Sequence, residues 1–174
     1  MLPLYKSQQY VRACFLFFLT IIIGSSGCYS FRGISIDPNV KTYNVPPFKN
    51  NAGNAPGDIA IRFSEGFKEK IRTETRLSLA TTDPDIEFSG TIVDFRVTAE
   101  APAPGEVAGF NRLTIVTAVE YNNTVVEDAG WRQNFSFFFD FGINENLLSI
   151  QDDAIDEVFN QIYEDVFNKA FTDW

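Results

Sequence analysis

The stretch IEFSGTIVDFRVTAE, Ile86–Glu100, decides the fold because its apolar residues change sides partway along. Successive side chains of an extended strand point to opposite faces of a sheet. The apolar residues occupy even positions up to Ile92 and odd positions from Val93 onwards. One extra residue in the strand, a β-bulge, would return all of them to a single face. The sequence therefore predicts one long strand with a bulge between Gly90 and Val93.

Two more long strands follow this one. Residues 110–122, FNRLTIVTAVEYN, alternate apolar and polar side chains, and residues 131–141, WRQNFSFFFDF, place four phenylalanines on one parity. A Pro/Gly-rich connection, residues 101–109, and a turn around residues 127–130 separate them. Consecutive strands joined by short connections favour an antiparallel meander.

Two segments have helical periodicity. Ala60, Phe63, Phe67 and Ile71 recur at three- and four-residue spacing. A second apolar stripe follows Ser149, which with the acidic residue at position 152 forms a start similar to a capping box. Gly66 lies inside the first helix and suggests the close approach of a neighbouring backbone.

Shorter segments complete the expected architecture. Residues 40–45, VKTYNV, and the stretch LSLAT, residues 77–81, favour short strands, whereas the polar, turn-rich residues 48–58 favour a loop. We therefore predict an α+β fold in which two amphipathic helices pack on one face of a small, mostly antiparallel sheet of four to five strands.

The first 27 residues differ in character from the rest of the chain. They carry Lys6 and Arg12, no acidic residue, and the apolar run ACFLFFLTIII at residues 13–23. A positive start, a short apolar core and small residues after it are typical of a secretory signal. The run is short for a membrane span, which needs about 20 apolar residues. An uncleaved N-terminal membrane helix is the alternative.

Cys28 follows directly. The sequence Ser25-Ser26-Gly27-Cys28 resembles the bacterial lipoprotein cleavage box, although Ser25 stands where that pattern usually has Leu. We expect a signal peptide at residues 1–27, a lipidated tether at residues 28–39 and one domain at residues 40–174. The alternatives for Cys28 are a free thiol and an intermolecular disulfide. No acidic cluster of the kind used for surface export follows it, so we expect the periplasmic side of the outer membrane.

The composition excludes several classes of chemistry. The chain has no histidine, and removal of residues 1–27 leaves one cysteine, so cysteine–histidine and serine–histidine catalysis and zinc sites of these residues are excluded. We expect no enzyme activity, no cofactor and no metal. An enzyme that uses only carboxylates, with Asp152 and Asp156, is the alternative, although these residues also suit the start of a helix.

The charge of the chain also limits its partners. Without residues 1–27 the chain keeps 12 basic and 23 acidic residues, a balance of −11. A strongly acidic surface disfavours electrostatic binding to nucleic acid.

Two surface features are candidate contacts. Lys68, Arg72 and Arg76 recur every four residues on the first helix and form a cationic stripe that suits an anionic lipid, although interleaved glutamates at positions 65 and 69 offer ion-pair partners. Phe138 points away from the other phenylalanines of its strand, so it is a candidate contact for a partner protein. Coverage of Phe138 by the N-terminal tether is the alternative.

Four segments of the chain resemble one family. The segments RFSEGFKEKI, NRLTIVTAVEYNN, EDVFNKAFTDW and CYSFRG are similar to the LPS-assembly lipoprotein LptE family as it occurs in Bacteroidota. The resemblance implies two helices on a small sheet. It also implies a plug for the outer-membrane barrel LptD in lipopolysaccharide transport, with lipopolysaccharide as a further ligand. A periplasmic lipoprotein that binds and activates a cell-wall synthesis enzyme is the alternative function.

The replacement Cys28→Ala tests the anchor. We expect this variant to remain unprocessed or unanchored, because it lacks the thiol to which the lipid is attached. Metabolic labelling with a radioactive fatty acid, followed by membrane fractionation, measures both properties. Normal acylation of the variant would refute the assignment.

Overall fold

The computed structural model describes residues 35–101 and 109–172, and it shows two helices and a six-stranded sheet in these ranges. The helices are α1 (Ile59–Glu74) and α2 (Leu147–Phe171). The strands are β1 (Thr42–Asn44), β2 (Lys49–Asn50), β3 (Ser78–Leu79), β4 (Ile86–Glu100), β5 (Phe110–Asn123) and β6 (Trp131–Gly142). The α+β class is confirmed. The signal peptide, Cys28 and most of the connection at residues 101–109 lie outside the described residues.

The sheet combines a long meander with three very short strands. Its order is β3-β1-β4-β5-β6, and β2 also pairs with β4. The β4–β5 and β5–β6 pairs are antiparallel, as predicted, whereas β1 pairs in parallel with β3 and β4, and β2 pairs in parallel with β4. The prediction of four to five strands was too low, because a two-residue strand such as β2 is too short to show any periodicity.

The predicted bulge is present in β4. The register between β4 and β5 shifts between Ile92 and Asp94, so Val93 is the extra residue. Phe88 and Ile92 before the shift are fully buried, and Phe95 after it is 5% exposed, whereas Val93 is exposed. The bulge therefore keeps the large apolar side chains of β4 on one buried side.

Gly90 leaves a gap on that side, and a residue from the predicted loop fills it. A Cβ at Gly90 would overlap the Ala118 carbonyl oxygen and would lie 2.5 Å from the Cε1 atom of the Phe48 ring. Phe48 is 5% exposed and packs on Phe63 of α1, with 4.8 Å between the ring centroids. Its backbone N–H donates to the Ser64 hydroxyl at 2.8 Å. The loop is thus part of the core.

Both helices contact one residue of β4. The ring of Phe88 lies 5.1 Å from Phe67 of α1 and 5.8 Å from Phe171 of α2, measured between centroids. It also packs at 4.8 Å on Tyr121 of β5. Aromatic pairs at these separations are stabilising beyond the apolar area that they bury. Phe88 therefore joins both helices to two neighbouring strands.

The start of helix α2 differs from the prediction. Helix α2 begins at Leu147, and its N-cap is Asn146, whose side chain accepts from the Leu148 N–H at 3.0 Å. Ser149 is therefore inside the first turn, and the capping-box prediction was wrong. Asn is among the best N-cap residues because its side-chain oxygen satisfies a free backbone N–H.

The two helices meet closely at Gly66. The Tyr163 hydroxyl of α2 reaches across to α1 and donates to the Phe63 carbonyl at 3.1 Å. A Cβ at position 66 would lie 2.9 Å from the Cζ atom of Tyr163 and closer still to its hydroxyl. The close neighbour of Gly66 is thus a tyrosine side chain rather than a backbone. Burial raises the pKa of Tyr163, so it remains a neutral hydrogen-bond donor.

One buried polar group has no hydrogen-bond partner among the described residues. Thr117 on β5 is fully buried, and its hydroxyl makes no hydrogen bond with any described residue. A buried hydroxyl without a partner costs about 1–3 kcal/mol of stability. Thr117 pairs with Ile92 and with Phe135 across the two ladders, so its surroundings are apolar.

We predict that Thr117→Val raises the free energy of unfolding by about 1–2 kcal/mol, because valine keeps the shape and removes the unsatisfied hydroxyl. Urea denaturation measures this change. Thr82→Val is the control, since Thr82 is exposed, and it should change stability by less than about 0.5 kcal/mol. An equal or lower stability of Thr117→Val would contradict the prediction.

We predict that Gly66→Ala lowers stability by about 1–3 kcal/mol, because the new methyl group overlaps Tyr163. On helix propensity alone the same change would stabilise the protein by about 1 kcal/mol. Thermal and urea unfolding distinguish the two signs. The cost should shrink in a Tyr163→Phe background, in which the hydroxyl is gone, and an unchanged cost there would contradict this explanation.

Candidate partner-binding surface

The two faces of the sheet differ in burial, and the alternate residues of strand β5 show this difference. Its odd-numbered residues from Leu113 to Tyr121 are buried. Even-numbered positions such as Val116, Ala118 and Glu120 are half-buried or exposed. We call the second side the open face. It also carries the even-numbered residues of β6, because even positions of β5 pair with even positions of β6.

An ion pair crosses the open face at one end. Arg112 of β5 stands opposite Asp140 of β6 in the ladder. Its Nε and Nη2 atoms donate to the two carboxylate oxygens of Asp140 at 2.7 and 2.8 Å. These hydrogen bonds hold the pKa of Asp140 below its usual value. A bidentate ion pair of this kind fixes the orientation of the guanidinium plane.

The oriented guanidinium covers the ring of Phe138. The Cζ atom of Arg112 lies 3.8 Å from the ring centroid, close enough for a cation–π contact. Phe138 is nevertheless 42% exposed. The structure thus places Phe138 on the open face, as the alternation predicts, and adds Arg112 and Asp140 as residues that hold it. Sequence reasoning missed both residues, because their contact depends on the β5–β6 register.

The ring of Phe138 also meets the ring of its neighbour Phe137. The two rings are nearly parallel, at 15°, with 5.5 Å between the centroids. Side chains of consecutive strand residues leave from opposite faces. Both rings belong to β6, the last strand of the sheet within the described residues. Phe138 is therefore an exposed aromatic side chain at the margin of the sheet, held from one side.

The predicted cationic stripe is largely neutralised. The Nζ atom of Lys68 lies 2.6 Å from the Glu65 carboxylate, and Arg72 donates to Glu69 from its Nε at 2.8 Å. These are the ion pairs offered as the alternative. Arg76 lies beyond the end of α1, so its predicted place on the helix was wrong.

The helix ends early because of Thr75. This residue is extended, with φ −126° and ψ 168°, and its hydroxyl accepts from the Leu77 N–H at 3.1 Å. The guanidinium of Arg76 donates to the Ile36 carbonyl at 3.3 Å. No described contact joins the stripe to Phe138.

The candidate carboxylates have a structural partner. Asp152 and Asp156 of α2 lie 2.6 and 2.7 Å from the guanidinium nitrogens of Arg62 of α1. Removal of either acid would weaken a contact between the helices. The carboxylate-enzyme hypothesis therefore has a competing structural explanation for both residues.

Two further observations concern membranes and metals. Neither described helix combines the length and the apolar character needed to cross a bilayer. Among residues 35–101 and 109–172, no three acidic, histidine or cysteine side chains come together in a group that could hold a metal ion.

Solved structures with a similar chain course share little sequence with this protein. The hypothetical protein CT253 from Chlamydia trachomatis matches at 8% identity and a TM-score of 0.47, over 75% of this chain and 97% of that one. A minor lipoprotein from Acinetobacter baumannii matches at 8% identity and a TM-score of 0.44, over 76% and 97%. The lipoprotein GNA1162 from Neisseria meningitidis matches at 9% identity and a TM-score of 0.41, over 71% and 99%. No curated protein matches the sequence significantly.

The family comparison is more specific. The model of the lipopolysaccharide-assembly family LptE matches residues 40–170, which is most of the chain and nearly all of the described fold. It confirms the resemblance in the segments around α1, β5 and α2. It also favours lipopolysaccharide assembly over activation of a cell-wall enzyme. The chain belongs to the LptE family of lipopolysaccharide-assembly proteins.

Proposed function

We propose that this protein is an outer-membrane lipoprotein that acts as a plug and assembly factor for an LptD-like β-barrel. It holds no catalytic centre and works by shape and contact. Acyl chains on Cys28 anchor it on the periplasmic side of the membrane, and the barrel delivers lipopolysaccharide to the cell surface. The observation that carries this proposal is the match to the lipopolysaccharide-assembly family over residues 40–170.

The one-sided burial of the sheet supports a role in contact. We propose that both helices pack on the buried side, which leaves the open face free to meet the wall of the barrel. Its polar residues suit a surface that is wet until assembly, and Phe138 with Arg112 supplies an aromatic and an arginine. These residue types are enriched among the residues that dominate binding energy at protein interfaces.

A direct contact with lipopolysaccharide is a separate part of the proposal. Lys68, Arg72 and Arg76 are the candidate residues. A phosphate group of lipopolysaccharide that binds Lys68 or Arg72 must compete with the glutamates that already lie within ion-pair distance of them. Exposed pairs of this kind contribute about 0–1 kcal/mol, so a phosphate held by several cations can replace them.

The decisive experiment is co-purification from detergent extracts of outer membranes. The lipidated protein should recover a large β-barrel protein, and depletion of the lipoprotein should lower lipopolysaccharide at the cell surface. Failure to recover a barrel would count against the proposal. A cell-shape defect with normal surface lipopolysaccharide would favour the cell-wall alternative.

We predict that Phe138→Asp lowers recovery of the barrel about tenfold, a loss of about 1.4 kcal/mol. The cause is the loss of an exposed ring at the proposed contact. Thermal unfolding should change little because the ring is 42% exposed. Leu148→Asp is the matched control, since Leu148 is an exposed apolar residue at the start of α2, 79% exposed, and its loss should leave recovery unchanged. A collapse of stability in Phe138→Asp would place Phe138 in the core instead.

A further inference from the structure

The two edges of the sheet differ sharply in length. At one edge lies β3, which has only two residues, Ser78 and Leu79. At the other lies β6, Trp131–Gly142, which within the described residues pairs with β5 alone. An unpaired edge presents free backbone N–H and C=O groups to any other strand, and natural proteins usually shorten, charge or cover such edges. The edge at β3 is shortened, and the edge at β6 is not.

The sequence of β6 is poorly protected against pairing. Residues 133–139, QNFSFFF, contain no charge, no proline and no glycine. Segments of six or seven residues with these properties are the ones that pair most readily with other strands. The stacked rings of Phe137 and Phe138 add apolar surface on the same edge strand. The charged residues of the strand, Arg132 and Asp140, lie one on each side of this segment.

The positions of Arg132 and Asp140 suit antiparallel pairing of β6 with an identical strand. We propose that the free edge of β6 pairs antiparallel with the same edge of a second copy of this chain, around a two-fold axis at Ser136. In that register Arg132 of one copy faces Asp140 of the other, and the symmetry repeats the pair. Trp131 to Phe141 all gain partners, and Ser136 faces its own copy.

Neighbouring registers lack this match. A strand pair must keep side chains of one parity on one face, so the next allowed registers place the axis at Phe135 or at Phe137. With the axis at Phe135, Arg132 faces Phe138, and with the axis at Phe137, it faces Gly142. Opposite charges directly across an antiparallel pair are favourable by about 0.2–1 kcal/mol. The charges therefore specify the register, while backbone hydrogen bonds and the phenylalanine rings supply the attraction.

The dimer is distinct from the proposed complex with a barrel. It needs only purified copies of this chain, and it uses the edge of β6 rather than the whole open face. Arg112 of each copy already pairs with Asp140, so Arg132 of the second copy would join an existing ion pair. A carboxylate has two oxygens and about four acceptor positions, so it can accept from both arginines.

Cross-linking of the full chain tests the proposal. Ser136→Cys places a thiol at the proposed axis, and Ser136 is exposed, so the fold should tolerate it. A short bismaleimide should convert the purified, detergent-solubilised variant into a covalent dimer. The wild-type chain, treated identically, reports any reaction of Cys14 or Cys28. Ser89→Cys, on β4 away from the edge, should stay monomeric.

A charge reversal then tests the register. Arg132→Asp in the Ser136→Cys background should lower the cross-linking yield about tenfold, because two like charges replace each ion pair. Arg96→Asp is the matched control, since Arg96 pairs with Asp94 within β4 and lies away from the edge. It should leave the yield unchanged.

Three results would overturn the proposal. The first is a monomer by analytical ultracentrifugation at the cross-linking concentration. The second is a cross-linking yield that Arg132→Asp leaves unchanged, and the third is cross-linking only to a different protein. Barrel recovery is measured in parallel with the same variants. Absence of a dimer in Ser136→Cys with normal barrel recovery would reject self-pairing alone, and failure of Ser136→Cys to recover a barrel despite an intact dimer would reject the proposed function alone.

Discussion

The contact on which the rest of the structure depends is the ring of Phe88. It touches Phe67 of α1, Tyr121 of β5 and Phe171 of α2, so four elements meet at one buried side chain. Phe67 and Phe171 lie far apart in the sequence, and their rings reach Phe88 only if both helices approach β4 in one fixed arrangement. The close approach of α1 and α2 at Gly66 and Tyr163 follows the same requirement, since a larger residue at position 66 would push the helices apart.

The bulge at Val93 extends this one-sided burial along β4. Without it, Phe95 would point to the side opposite to Phe88, and the charged residues Asp94 and Arg96 would turn towards the core. With it, the large apolar residues of β4 and the odd-numbered residues of β5 are buried together. The other face of the meander carries mostly small, polar and charged residues, with Val116 and Phe138 among the exceptions. The open face is therefore a consequence of how the core is filled.

The features that sequence could predict are those with a local period. Alternation and its switch located the three long strands and the bulge, and three- and four-residue spacing located both helices. Features set by contacts between distant residues were missed. Phe48 is buried because Gly90 leaves a gap on another strand, and the pairing of Arg112 with Asp140 depends on a register fixed by the whole hairpin. The start of α2 was missed for a different reason, because Asn146 and Ser149 are both good N-cap residues and only the backbone shows which one is used.

The same register explains why Phe138 suits a contact surface. An exposed phenylalanine on a flexible segment would lose conformational freedom when a partner covers it, and this loss reduces affinity. Here Asp140 orients Arg112, and Arg112 in turn lies over one side of the ring, so part of that freedom is already lost in the free protein. The ring nevertheless stays 42% exposed, and β6, which carries it, is the last strand of the sheet within the described residues. An ion pair that contributes little to stability on its own thus prepares an aromatic side chain for binding.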